Sequence, residues 1–340
     1  MNIFTSKIYL DNIEVIAIIA IIIGVLVFAS ALFYIWGLLK PSADLKELKT
    51  RTNSWWAIAA LIIITSLVHP ALSFIAFGLL SFVALRELAS ISKNIRDEDR
   101  RVIIWCYLAI PVQYFIAYKG WFNIFVIFIP VFMFVWIPFM LVIRGTTSEI
   151  GRSMSVLPTQ LMLTVFSLSH LAFLLSLPPI AGFNAGGRGL LLFVVFITEI
   201  NDVFQFTWGK LLGRHAIIPK ISPNKTWEGF IGGVLTTTVL GYFLRFLTPF
   251  SVVESLVVSF VIACAGFVGD VVISAVKRDI GLKDTGTLIP GHGGILDRID
   301  SLAITSVVFF HIVYKYLNII HLNLYLIFYL KILMIHLFYL

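Results

Sequence analysis

The chain has 340 residues, of which 59% are hydrophobic and only 13% charged, and its mean hydropathy is +0.99. A soluble domain is nearer half apolar and a quarter charged, so this composition excludes an ordinary soluble globule and points to an integral membrane protein. The net charge of +7 suits an anionic lipid surface and gives no reason to invoke nucleic acid.

The apolar runs show no period-two alternation, so they read as helices and not as strands of a barrel. The first run covers 14–38. Asp11 and Glu14 precede it and no small-residue cleavage site is evident, so it reads as a retained helix and not a signal peptide. Further spans are expected near 55–68, 70–87, 102–118, 122–143, 158–178, 187–208, 228–247, 252–276 and 301–318, with 324–340 as a candidate eleventh that carries Lys331 at its middle. The stretch 55–87 is split at His69-Pro70. As one helix its roughly 33 residues would reach about 50 Å, well past a hydrocarbon core of ~30 Å, and proline disfavours helix at the residue before it. The fold class expected is an all-α polytopic membrane protein of about ten transmembrane helices with a cytoplasm-facing polar cavity. It is read as one membrane domain over 1–340, in which 1–180 form scaffold and lipid-side helices and 187–318 carry the catalytic helices and loops.

Lysine and arginine support this topology. Nineteen of the 25 fall in or beside alternate loops, at 39–54, 88–101, 144–157, 209–229 and 277–300. By the positive-inside rule these loops face the cytoplasm and the N-terminus lies outside. Without the break at Pro70 this parity fails. Cys106 and Cys264 both lie in apolar runs, which argues against a disulfide framework or a thiolate metal site.

The first three of these loops are short charged connectors. The last two are rich in glycine and proline, and acids stand on the helices that feed them. Glu199 and Asp202 are one turn apart near a helix end, an expensive place for carboxylates. Gly209-Lys210 and Gly213-Arg214 follow, then Ser222-Pro223, Lys225-Thr226, and Glu228 in the first turn of the next helix. A helix N-terminus beside a lysine and a threonine hydroxyl suits an anion; a capped helix start with a glycine packing face is the plainer reading. Farther on, Asp270, Ser274 and Lys277 share one helix face, with Asp270 about 10 Å inside the helix end. An unpaired carboxylate at such a depth costs roughly 3 kcal/mol or more. The plainer alternative there is a structural ion pair with a lysine. In the loop that follows, Lys277, Arg278, Lys283 and Arg298 are matched by Asp279, Asp284, Asp297 and Asp300 around Gly291-His292-Gly293-Gly294. A topology signal needs the cations but gains little from the acids. Aspartates hold a hard divalent cation, lysine and arginine take phosphate oxygens, and glycines let backbone N–H groups approach a phosphate. These residues therefore read as a metal-dependent phosphoryl- or nucleotidyl-transfer site at the cytoplasmic membrane face.

The same residues closely resemble the signature of the phosphatidate cytidylyltransferase (CDP-diacylglycerol synthase) family. Ser274, Lys277, Arg278, Lys283, Asp284, Pro290, His292, Gly293, Gly294, Asp297, Arg298 and Asp300 fill its fixed places, and Ser222, Pro223, Lys225, Thr226, Trp227, Glu228 and Gly229 match a second element. Recognisable motifs cover about 199–301. Departures stand at Phe206, where the family usually has tyrosine, at Lys210 for arginine, and at Phe204 and Gln205 for small residues, as in a divergent bacterial branch. The resemblance implies that CTP and phosphatidate give CDP-diacylglycerol and pyrophosphate. It implies Mg²⁺ on Asp270 and Asp297, with room for a second cation. Lys277, Arg278, Lys283 and Arg298 would neutralise the phosphates, Asp284 and Asp300 would position those basic groups or outer-shell water, and His292 would count with the catalytic residues. Ser222, Lys225, Thr226, Glu228, Ser274, Gly293, Gly294 and Asp202 would form the substrate side. CTP, bilayer phosphatidate, membrane lipids and a second copy in a homodimer are the partners implied. Two other readings stay open: a CTP-dependent lipid kinase, prompted by the changes at Phe206 and Lys210, and a membrane protein without enzymatic activity, since intramembrane acids also mark ion pathways.

Overall fold

A computed structural model describes residues 12–40, 46–68, 70–92, 97–143, 150–180, 182–282, 285–286 and 293–338. The N-terminal part comprises α1 (Ile13–Leu39), α2 (Lys46–Val68), α3 (Pro70–Ile91), α4 (Ile103–Lys119), α5 (Phe122–Ile127), α6 (Phe134–Val142), α7 (Ile150–Leu161) and α8 (Ser167–Leu174). The C-terminal part comprises α9 (Gly186–Leu212), α10 (Trp227–Phe243), α11 (Val252–Asp279) and α12 (Leu296–Phe338). Eight helical stretches among the described residues are long and apolar enough to cross a membrane. The break between α2 and α3 falls where Pro70 places it. Two expected spans are short: α2 is apolar only over Thr52–Ile64, and the 17 residues of α10 rise about 25 Å.

Prolines shape the middle of the chain. α5 and α6 are one rod joined by a π-helical segment, Phe128–Met133, that contains Pro130; α7 and α8 are joined by another, Met162–Phe166, one turn after Pro158. A proline lacks the N–H for the i→i−4 bond and its ring crowds the preceding turn, so the helix widens locally. The helix expected from 158 therefore starts at Ile150, with Pro158 inside it.

Two expectations are corrected. The stretch 324–340 is not a separate span: α12 runs unbroken through Phe338 over 43 residues, because no glycine or proline interrupts 301–338. The loop at 209–229 also contains structure, an antiparallel hairpin of β1 (Ala216–Ile218) and β2 (Ser222–Thr226) with Ala216 opposite Thr226.

α9, α10, α11 and α12 pack on one another, α3, α4, α7 and α8 form a second group, and α12 also packs against α8. One continuous apolar core runs from Val15 to Leu317. A buried polar layer locks the first group. Asn201 of α9 donates to the Ala263 carbonyl of α11 (3.2 Å) and accepts from Thr237 of α10 (3.0 Å), and the hydroxyls of Thr198 and Thr305 meet at 3.1 Å. Polar groups in a bilayer hold helices together because no water competes for them. This layer fixes the helix ends that carry the charged residues.

Candidate active site

The two polar loops meet at one end of the bundle. Arg278, in the last turn of α11, donates from Nε to the Ile221 carbonyl (3.0 Å) in the hairpin and from Nη1 to the Leu282 carbonyl (2.7 Å). Its guanidinium thus ties one loop to the other. The hairpin is held on α10 from the opposite side. Thr226 is the N-cap, accepting from the Gly229 N–H at 3.2 Å. Glu228 accepts from the backbone N–H groups of Arg214 (3.1 Å) and His215 (3.3 Å) and meets the His215 ring Nδ1 at 2.6 Å. The Arg214 N–H, and then the His215 ring, push the Glu228 carboxyl down to about 2.

Between the hairpin, α9 and α11 lies a cavity of about 180 Å³, lined by Asp202, Gln205, Phe206, Ser222, Lys225, Thr226 and Asp270 among others. The Lys225 ammonium is ion-paired with Asp270 and stands 5.3 Å from the centre of the Phe267 ring. Ser274, one turn along, donates to Asp270 Oδ1 at 3.1 Å. Burial alone would pull the Lys225 pKa down; Asp270 and Asp202 outweigh it and raise it above the ordinary lysine value.

A second buried pair closes the loop after α11. Lys277 Nζ donates to Asp297 Oδ1 at 2.8 Å. Asp297 Oδ2 accepts from the backbone N–H groups of Thr285 and Gly294, each at 2.9 Å, and lies 3.0 Å from the Thr285 hydroxyl. The Thr285 hydroxyl also reaches Glu87 of α3. Glu87 Oε2 in turn accepts from the N–H groups of Ile295 (2.8 Å) and Leu296 (3.4 Å). A carboxylate at the unpaired N–H groups of a helix start is favoured both by hydrogen bonding and by the helix dipole. A scaffold residue therefore caps α12, the helix that bears Asp297 and Asp300.

Close contact of α11 with α12 brings the remaining acids together. At Gly269 a Cβ would stand 2.6 Å from the Asp300 carbonyl oxygen and 3.1 Å from Ser301 Cα, so only glycine allows this approach. Ser301 donates to Asp202 Oδ2 at 2.7 Å, and Asp300 lies within electrostatic reach of Asp270, Asp202 and Lys277. Arg298 lies within reach of Glu199 and Asp202. Asp202 Oδ1 and Arg298 Nε are buried without a hydrogen-bond partner among the described residues.

Of the residues singled out from sequence, Asp202, Ser222, Lys225, Thr226 and Asp270 line the cavity. Ser274 steadies Asp270; Lys277 pairs with Asp297, Asp300 lies within electrostatic reach of Asp270 and Lys277, and Arg298 within reach of Asp202. Gly293 takes a left-handed backbone (φ +81°), and the N–H of Gly294 goes to Asp297. Glu228 lies outside the cavity lining and fastens the hairpin. Lys283, Asp284, Pro290 and His292 lie outside the described residues. Glu87 and Thr285 are additions that no motif points to; the only sequence signal is a glutamate at the end of a membrane helix. The donor chemistry suits a hard divalent cation: Asp202 and Asp270 face one cavity, and one buried Asp202 oxygen has no hydrogen-bond partner among the described residues. Among the described residues no three His, Cys, Asp or Glu are close enough to hold an ion alone, so phosphate oxygens and water would complete such a shell.

Comparison with known proteins bears on this geometry. Residues 49–317 match the Cytidylyltransferase family. An uncharacterized protein, YnbB, of Escherichia coli (strain K12) is 39% identical over 284 residues, 83% of this chain and 91% of that one. A phosphatidate cytidylyltransferase of Mycobacterium leprae is 38% identical over 149 residues, 43% of this chain and 47% of that enzyme. One of Staphylococcus saprophyticus is 38% identical over 117 residues, 34% of this chain and 45% of that enzyme. The chain thus aligns with just under half the length of these enzymes.

Proposed function

The chain belongs to the cytidylyltransferase family, and on that premise we propose that this integral membrane transferase makes CDP-diacylglycerol from CTP and phosphatidate. A phosphate oxygen of phosphatidate attacks the α-phosphorus of CTP. The new P–O bond forms as the bond from the α-phosphorus to the bridging oxygen breaks, and pyrophosphate leaves with that electron pair. The observation that carries this reading is the cavity at which Lys225 of the first signature loop meets Asp270 of the helix that leads into the second.

The lipid phosphate is already anionic near neutral pH, so the chain need not supply a strong base. Its task is to bring two anions together and to offset charge on the leaving pyrophosphate. Lys225 and Lys277, each held by an aspartate, present fixed ammonium groups for that purpose. Arg298 adds a guanidinium whose Nε has no hydrogen-bond partner among the described residues. Arg278 holds the two loops in register, and Asp300 positions its cationic neighbours. Mg²⁺ held by Asp270 and Asp297, its shell completed by phosphate oxygens and water, would supply Lewis-acid polarisation of the phosphates. Lys283, Asp284 and His292 keep the catalytic roles that the resemblance implies, and Ser222, Thr226, Gly293 and Gly294 the substrate side. The site would face the cytoplasm of a bacterial inner membrane, where CTP is available, in a homodimer.

The test is an assay of membranes or purified protein with labelled CTP, phosphatidate and Mg²⁺, wild type beside Asp270→Asn. Formation of CDP-diacylglycerol and pyrophosphate, lost in Asp270→Asn, is the expected result. A phosphorylated lipid alcohol plus CDP would identify a lipid kinase instead, a reading favoured by Phe206 at the cavity with Lys210 5.4 Å from its ring. No turnover of either kind in wild-type protein would overturn both.

A further inference from the structure

Tyr107 of α4 lines two hollows at once. The first, of about 400 Å³, lies at the active-site end of α3 and α4; Arg86, Arg100 and Arg101 converge on it, and none of its eight lining residues is acidic. The second, of about 470 Å³, is an apolar groove along the same two helices, with Phe74, Gly78 and Phe82 on one wall and Tyr107, Pro111 and Phe115 on the other. The spacing on each wall is i, i+4, i+8, so each set forms a stripe on one helix face. Phe82 and Tyr107 meet at 5.0 Å between ring centres where the hollows join.

The dimensions and chemistry suit one amphiphile. From Ala71 to Phe82 the groove wall rises about 16 Å, roughly half of a ~30 Å hydrocarbon core and hence one leaflet. Gly78 leaves a bare stretch in the groove wall: a Cβ there would reach across to other lining residues, its nearest atoms being Tyr114 ring atoms at 3.7 and 3.8 Å and Ile110 Cγ2 at 4.0 Å. Two further lining residues, Ile75 and Leu79, are each about 60% exposed, so the groove opens on the outer surface of the helices. At the charged end, Arg100 Nη1 donates to the Ala89 carbonyl at 3.4 Å, which places its guanidinium at the rim. Guanidinium groups fork onto phosphate oxygens, and basic pockets between membrane helices hold anionic headgroups. A topology signal alone would need the arginines but not an apolar groove continuous with them. None of these residues lines the cavity between α9 and α11.

We propose that the α3–α4 groove binds one anionic glycerophospholipid, with its phosphate among Arg86, Arg100 and Arg101 and an acyl chain along Phe82, Gly78 and Phe74. The site is separate from the catalytic cavity and does not depend on the reaction assigned to it. Arg86 directly precedes Glu87, so an occupied headgroup pocket adjoins the carboxylate that caps α12.

The test uses full-length protein in mild detergent, with dioleoyl phosphatidylglycerol or phosphatidylcholine added and adducts counted by native mass spectrometry. The expected result is phosphatidylglycerol bound in preference to phosphatidylcholine and not displaced by inorganic phosphate. The double variant Arg86→Gln/Arg101→Gln should weaken phosphatidylglycerol binding roughly 30-fold, the share of two interfacial arginines. Gly78→Leu, which fills the groove and leaves the arginines in place, should weaken it as well. Equal binding of both lipids, displacement by free phosphate, or unchanged binding in Gly78→Leu would each overturn the proposal. So would a protein dimer that Gly78→Leu dissociates without loss of lipid, because the groove would then hold a second copy of the chain. If the double arginine variant does not fold, the wild-type lipid preference and Gly78→Leu decide.

Discussion

The ammonium of Lys277 lies 2.8 Å from Oδ1 of Asp297, and the two side chains are 9% and 5% exposed. The pair joins the end of α11 to the start of α12 across the loop between them. Removing one partner of such a pair strands the other as a buried charge, which costs about 3–5 kcal/mol, whereas removing both often costs far less. Lys277→Met and Asp297→Leu should each destabilise the protein by about that amount, and the double variant by less than their sum. Chemical unfolding in detergent micelles measures this coupling. All three variants should lose transferase activity, because each removes a group from the site.

Glu87 is expected to matter more for activity than for stability. Its carboxylate accepts from the N–H groups of Ile295 and Leu296 and from the Thr285 hydroxyl, so it orders the segment that presents Asp297. Loss of a helix cap costs about 1 kcal/mol, but a misplaced reacting group can cost about a hundredfold in rate. Glu87→Ala should unfold only slightly earlier, while activity falls by about ten- to a hundredfold and amide exchange at Ile295 and Leu296 accelerates. An equal loss in Arg86→Gln with exchange unchanged would assign the effect to charge at this helix end, not to the cap.

Much of this was legible in the sequence, for physical reasons that also mark where it stopped. A long apolar run specifies a membrane helix almost by itself, and Pro70 divides α2 from α3 because its ring cannot enter the preceding turn. Asp270 and Ser274 share a face and do bond to each other. Lys277 stands on the same helix, and its ammonium goes to Asp297 on another, a partner that spacing along one helix cannot name. Glu87 is a stronger case: its partners lie some two hundred positions away, and a glutamate at a helix end reads as solvated surface. The hairpin at 216–226 is too short to carry a strand pattern, and its hold on α10 comes from Glu228, whose motif position implies a substrate role.

Glu228 also provides a pH test of that hold. Its folded pKa of about 2 lies below the usual 4.5, so ionised Glu228 favours the folded hairpin. A depressed carboxylate contributes stability that is complete above its unfolded pKa and lost as pH falls toward the folded value. The stability difference between wild type and Glu228→Gln should therefore stay constant from about pH 8 to pH 5.5. It should then shrink between about pH 4.5 and pH 2. Thermal unfolding across that range measures it, and a difference that stayed constant down to pH 2 would show that the Glu228 carboxylate does not hold the hairpin.

Gly269 tests whether packing or charge limits the site. It has no titratable atom and lines no part of the cavity, yet a methyl group there would stand 2.6 Å from the Asp300 carbonyl oxygen, closer than real contacts allow. Backbone must therefore move, and the helices that move carry Asp270 on one side and Asp300 with Ser301 on the other. Overpacking of this kind costs about 1–3 kcal/mol, which a protein with a core this continuous should survive. Gly269→Ala should accordingly fold, with a modestly lower unfolding midpoint, and lose activity by about a hundredfold through displaced carboxylates. Gly24→Ala, at a helical glycine whose Cβ would meet nothing within 4 Å, should leave both unchanged. If Gly269→Ala retained full activity, the close approach of α11 and α12 would be a packing feature alone, and the aspartates would need no such exact placement.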